Sequence, residues 1–250
     1  MRISAHQPNF MPYLGFFHKM KESDIFVIRD EILFSDNKDA FQHRNKIRIN
    51  SNNNKNSPQH KWISVPIDNK NDYIKNVLIK NYVKRKNILW NEEILKDIRN
   101  NYGKTPYFDE YFPYIQEILS NNYDKLIKLN MKMIYFLRDV FGIKTKIIFA
   151  SDLGLKPDKY QKSSDSSNDI INICSNLGGK IYLSGSGGRE YLNLEMFKRK
   201  GLKVEFQEYY HPIYQQRYEG FIPNMSSIDA LFCIGKNVFN ELEIRNKKIA

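Results

Sequence analysis

Short apolar runs alternating with segments of helical period constrain this chain more than any other feature. Arg2–Ala5, Asp24–Ile28 (DIFVI), Lys146–Ala150 (KIIFA), Ile181–Leu183 and Val204–Phe206 read as strands. They are too short for helices and rich in Ile, Val and Phe. Leu14–Lys21 reads as a helix with Leu14, Phe17 and Met20 on one face, as do Ser167–Asn176 ahead of Gly178-Gly179 and Ile228–Ile234 closed by Gly235. From Ile88 to about Phe141 the period is helical, with stops at Gly103 and Gly142. Phe41–Ile49 alternates charged and apolar residues and is expected to pair with Trp62–Ile67 across the polar NSNNNKNSPQHK loop. The expectation is an α/β fold: a mostly parallel sheet flanked by helices, with a central helical insertion at about 88–142, in a single domain over 1–250. Such a sheet gathers ligand contacts at the carboxyl ends of its strands. Lys156–Asn168 (KPDKYQKSSDSSN) is expected as a flexible surface loop.

Composition narrows the classes. Hydrophobic residues are 41% and aromatics 14%, enough for a sizeable core. No stretch approaches the roughly 18 apolar residues of a membrane span, and Met1–Phe10 lacks the apolar centre of a signal peptide. Cys174 and Cys233 sit in helix-like apolar settings and read as buried free thiols of a cytoplasmic protein. The net charge of +11 suits an anionic partner: a nucleotide-sugar, a phosphorylated lipid or RNA. Abundant surface lysine is the competing reading, and the chain carries no RNA-binding signature. The five histidines are scattered and neither cysteine has a histidine at zinc spacing, so no metal site and no cofactor are expected.

Four stretches carry candidate chemistry. In HQPNFMPYLGFFHK, His6 follows a strand directly, with Gln7 and Asn9 beside it and His18 on the next helix. His6 reads as a general base or phosphate contact, or else as a turn residue satisfying a carbonyl. In FQHRNKI, Arg44 and Asn45 belong to a cation-rich alternation in which Arg44, Lys46 and Arg48 share one strand face. That face is a phosphate site or a charged edge strand, and the spacing does not separate the two. In YLSGSGGREYL, Ser184, Gly185, Ser186, Gly187, Gly188 and Arg189 precede a helix expected to open at Arg189-Glu190. This is an anion cradle at a helix start or a plain turn, and it matches neither dinucleotide nor Walker spacing. In YYHPIYQQRYEGF, His211, Tyr214 and Gln215 suit a sugar or base ring, or pack as a tyrosine-rich loop. Ser226-Ser227 reads as a helix start, and Asp229 as a residue able to orient a histidine of the cleft.

Taken in order, HQPNFMPYLGFFHKM, RNKIRI before WISVPI, YLSGSGGREYL, YYHPIYQQ and FIPNMSSIDALFCIG resemble the WbqC-like family over nearly the whole chain. The central Ile88–Phe141 carries no family motif, and KSSDSSNDII is less basic than the family's corresponding run. The resemblance implies bacterial surface-polysaccharide biosynthesis, as of lipopolysaccharide O-antigen or capsule, in the cytoplasm. The reaction inferred beside it is transfer of an acyl or aminoacyl group to a nucleotide-linked amino sugar. His6 and His211 would be the catalytic residues, with His6 removing the amine proton. Arg189 and the glycine-loop amides would take the pyrophosphate. An aminoacyl-tRNA or an acyl carrier would be the donor. A non-catalytic scaffold or nucleotide-sugar-binding protein is the alternative. So is a nucleotidyl-transferring enzyme: a strand-end histidine and a late Ser/Gly-rich loop also resemble HIGH-type folds, although Gln-Pro-Asn follows His6 here.

Overall fold

The structure, a computed structural model, describes residues 1–37, 40–50, 58–85, 87–154 and 166–239. Most of the expected 156–168 loop, and part of the polar loop after Ile49, lie outside these residues.

The sheet is built from β1 (Arg2–His6), β2 (Ile25–Ile28), β7 (Lys146–Phe149), β8 (Ile181–Ser184) and β9 (Lys203–Phe206). Its order is β7-β2-β1-β8-β9, and every pairing is parallel. Parallel neighbours need a crossover. The helices α1 (Leu14–Lys21), α5 (Ser166–Asn176) and α6 (Leu194–Arg199) lie within the β1–β2, β7–β8 and β8–β9 connections.

Alternation along the strands divides the core in two. Ile3 and Ala5 of β1, with Ile25 and Val27 of β2, pack with Ile170, Ile173 and Cys174 of α5 and Phe197 of α6. Phe26 and Ile28 face the other way, onto Leu14, Phe16, Phe17 and Met20 of α1. Sheets covered on both faces need apolar residues at successive positions, which is why DIFVI shows no polar alternation.

The segment between β2 and β7 holds α2 (Trp90–Tyr102), α3 (Phe108–Ser120) and α4 (Leu126–Val140). It also holds an antiparallel hairpin, β3 (Arg44–Ile49) with β4 (Gln59–Ser64), and the short pair β5 (Lys84–Arg85) and β6 (Ile88–Leu89). The helix expected from Ile88 therefore begins at Trp90, because Ile88 and Leu89 pair with Arg85 and Lys84. The side chains of α2, α3 and α4 join the α1 side of the core. The last helix, α7 (Ser227–Ile234), returns to the same core and fixes the loop after β1: Ser227 N donates to Pro12 O at 2.9 Å. Cys174 and Cys233 are buried and free. Among the described residues no helix is long and apolar enough to cross a membrane.

Candidate functional site

The hydrogen bonds of β1 locate a break in the sheet. Met1 O accepts from Ile181 N at 3.2 Å, on the β8 side. Arg2 O accepts from Asp24 N at 2.9 Å and His6 O from Arg29 N at 2.8 Å, on the β2 side. Successive carbonyls of a strand point to opposite sides, so Ala5 O points toward β8. Yet the β1–β8 ladder is confined to Arg2–Ile181 and Ile3–Tyr182. The ladder to β2 runs on to His6–Ile28, and that between β8 and β9 to Ser184–Phe206. β1 and β8 thus separate at their carboxyl ends. Strand order also reverses between them, which is where open parallel sheets bind ligands.

Lys19 of α1 reaches this break. Its Nζ donates to Ala5 O at 2.9 Å, in place of the N–H that a continued ladder would supply. Lys19 is 4% exposed, and burial pushes its amine down to about 8. Beside it, His6 Nδ1 lies 2.9 Å from Gln7 O. A carbonyl only accepts, so Nδ1 carries the proton of the neutral ring and Nε2 is the acceptor. The ring meets Phe16 edge-on at 5.0 Å. Burial, and then the positive charge of Lys19, push His6 down to about 4 against the opposing Gln7 hydrogen bond. At pH 7 His6 is therefore a neutral imidazole, and a weaker base than an ordinary histidine.

The glycine loop follows β8, and it corrects a second expectation. No α-helix opens at Arg189. Ser186–Glu190 is a single 3-10 turn, and α6 starts only at Leu194, capped by the Asn193 side chain at 3.3 Å from Met196 N. The three glycines differ. Gly188 is demanded by packing, since a Cβ there would lie 2.0 Å from Ser184 Oγ. Ser184 is itself buried, its Oγ donating to Gly185 O at 3.1 Å. Gly185 and Gly187 have neither a positive φ nor any atom within 4 Å of where a Cβ would stand. The fold itself does not require glycine at either place, and both have open space where a side chain would stand. Ser186 and Arg189 are exposed, with the Arg189 guanidinium 4.2 Å over the Phe206 ring at the end of β9.

Gln207, immediately after β9, joins this edge to α1. Its N donates to Ser184 O at 2.7 Å, while its Nε2 donates to Gly15 O at 2.8 Å and lies 3.0 Å from His18 Nδ1. His18 packs on Tyr209 at 5.3 Å, and Tyr209 meets Tyr13 at 6.2 Å and His211 at 5.9 Å. The Tyr209 hydroxyl is buried without a hydrogen-bond partner. His211 Nδ1 lies 2.8 Å from Pro212 O, so Nε2 is again the acceptor; burial lowers both His18 and His211 from the ordinary histidine value. One connected set thus runs from Ser184 through Gln207 to His18, Tyr209 and His211.

Other residues singled out by the sequence hold the scaffold. Gln7 Oε1 accepts from Gln42 Nε2 at 2.7 Å, and Asn9 is buried in the same loop. Asn45 Nδ2 donates to Phe10 O and Met11 O at 3.1 and 2.6 Å, pinning the loop that carries His6. Arg44 donates to Asn37 O at 2.9 Å and stacks on Trp62 at 4.6 Å. Arg48 does not extend the cation-rich face: it is 1% exposed and donates to the carbonyls of Gln59, Tyr218, Glu219 and Gly220. Tyr214 is buried with its hydroxyl 2.6 Å from Asp229, and Gln215 is exposed. Asp229 orients no histidine. It accepts from Tyr102 at 2.9 Å, Tyr214 at 2.6 Å and Gln216 at 2.9 Å.

Sequence reasoning missed Lys19 and Gln207. The legible signal for Lys19 was that LGFFHKMK is apolar on most sides, so that a buried helix had to hide at least one cation. It also missed Arg29, Asp30 and Glu31 at the carboxyl end of β2. There Asp30 accepts from Ser151 N and Oγ at 3.0 and 2.6 Å, and Arg29 pairs with Glu31. No group of acidic, histidine or cysteine side chains able to hold a metal occurs among the described residues.

The model of the WbqC-like protein family matches residues 7–241, which include nearly all of this site. The chain belongs to the WbqC-like family. It is also similar to an uncharacterized protein of Mycobacterium tuberculosis, Rv1507c, at 23% identity over 240 residues and 94% of each chain. No solved structure matches it. The family match starts at Gln7 and so takes in Lys19, the glycine turn and Gln207, but not His6.

Proposed function

We propose that this WbqC-like protein is a transferase of surface-polysaccharide assembly, moving an acyl or aminoacyl group onto the amine of a nucleotide-linked sugar in the crevice between β1 and β8. The observation that carries the reading is the early end of the β1–β8 ladder at Ile3–Tyr182, with His6 at one strand end and the open glycine turn at the other. In the reaction the sugar nitrogen forms the new amide bond to the acyl carbon. The C–O bond of an aminoacyl ester, or the C–S bond of a carrier thioester, breaks. The attacking nitrogen becomes cationic as the bond forms, and its proton is then acidic enough for a weak base. The neutral His6 Nε2 is that base, and the leaving oxygen or sulfur takes up a proton. The Tyr209–His211 ring set, tied to β9 by Gln207, offers the sugar a stacking wall. Nucleotidyl transfer in the same crevice is the second reading, favoured by the strand order and by a histidine on the first strand end.

A thermal-shift screen of nucleotides and nucleotide-sugars tests this. A ligand at about a hundred times its dissociation constant adds roughly 2.7 kcal/mol of stability. His6→Ala and Arg189→Ala are expected to fold normally and to lose most of that gain. The same gain in both variants as in the parent removes the two residues from the site.

A further inference from the structure

We infer that the crevice is an oxyanion site whose central contact is the Lys19 ammonium, binding a phosphate-type or carboxylate oxygen. This rests on the same crevice as the transferase reading but not on the transfer itself.

The placement comes first. Lys19 Nζ occupies the ladder position left open where β1 and β8 separate, held by the Ala5 carbonyl at 2.9 Å. An ammonium has three N–H donors. Among the described residues Ala5 O is its one hydrogen-bond acceptor, and no carboxylate pairs with it. If plugging the ladder were its whole task, a neutral donor such as glutamine would serve without removing a charge from water. A buried, unpaired cation with unused donors at a strand-order reversal is the counter-charge of something that arrives later.

The surroundings favour an anion. His6, the titratable group that faces Lys19, is neutral at pH 7 and adds no negative charge. Gly185 and Gly187, in the turn that follows the strand end across the break, have no neighbouring atom where a side chain would stand. Depression of the Lys19 amine to about 8 is the behaviour of a cation lacking its partner, and an arriving anion reverses it.

The test follows the Lys19 side-chain nitrogen by NMR of lysine-15N-labelled full-length protein, titrated from roughly pH 6 to 10. Inorganic pyrophosphate, inorganic phosphate and acetate are added in separate arms. The Lys19 midpoint is expected to rise by about one pH unit, a tenfold change in the protonation equilibrium. A response to pyrophosphate or phosphate and not to acetate assigns the phosphate class, and the reverse assigns a carboxylate. Lys19→Gln, which removes the charge and keeps a polar N–H donor at the position, is expected to weaken binding of the responding anion at least about tenfold, and Lys19→Arg to retain most of it. A Lys19 midpoint unmoved by all three anions overturns the inference, as does unchanged anion binding by a folded Lys19→Gln protein. If that variant does not fold, the titration of the parent decides alone. Anion binding without acyl transfer leaves this site standing and removes the transferase reading. Acyl transfer with an unmoved Lys19 does the opposite.

Discussion

Asp229 and Lys19 are both buried charges, at 0% and 4% exposure, and they are treated in opposite ways. Around Asp229 the fold closes the account with three donors, from Tyr102, Tyr214 and Gln216. Tyr102 OH in turn accepts from Arg48 N at 2.8 Å, tying α2 and α7 to β3. Around Lys19 there is one carbonyl. A completed network fixes architecture, because every partner holds the others in place. An incomplete one leaves donors over, and the anion site inferred at Lys19 rests on that difference. The polar residues called from YYHPIYQQ divide along this line: Tyr214 went to the closed network, and His211 to the ring set joined to the open edge.

The comparison can be broken at several strengths. The largest effect is expected for Asp229→Ala, which strands two tyrosine hydroxyls and an amide in the core. A loss of about 3–5 kcal/mol is expected in urea unfolding, and a loss below about 1 kcal/mol would show that the network is not what ties these elements together. Acid is expected to act next. The folded-state value lies below the ordinary one for His6, His18, His43, His60 and His211. The unfolded chain therefore binds more protons than the folded one below about pH 6.5, and stability falls as pH drops through that range. His6 goes furthest, from 6.5 to about 4, on the order of 3 kcal/mol across that window at about 1.4 kcal/mol per pH unit. His6→Gln should flatten the decline measured between pH 7 and 4.5, and an unaltered slope would mean that His6 titrates normally in the folded protein.

The smallest and sharpest contrast lies inside the glycine turn. Gly188→Ala drives a methyl toward Ser184 Oγ and is expected to cost about 1–3 kcal/mol. Gly185→Ala and Gly187→Ala meet nothing, so they should leave stability within about 1 kcal/mol of the parent. They should nonetheless lower affinity for whatever ligand the thermal-shift screen identifies. Binding equal to that of the parent in both would make this stretch a plain turn.

The comparison also shows what could be read in advance. The strands were legible because a sheet covered on both faces demands apolar residues at successive positions, as in DIFVI and KIIFA. The helix start at Arg189 was misread because REYLNLEMFK has helical period throughout. Only the packed turn around Gly188 and the Asn193 cap interrupt it, and those depend on Ser184 and Met196 being where they are. Arg48 looked like part of a charged face because its strand neighbours are charged. The chain that covers it, Tyr218–Gly220, lies some 170 positions away.

Local pattern by itself determined the strands of the main sheet, the parallel α/β class and the stretches worth testing, since periodicity and turn chemistry act over a few residues. Tertiary structure alone decided which polar side chains were used up and which were left over. Hydrogen-bond partners come from distant segments: Ala5 with Lys19, Ser184 with Gln207, Arg48 with Glu219. Whether a buried charge is satisfied is therefore a property of the assembled sheet and not of any run along the chain.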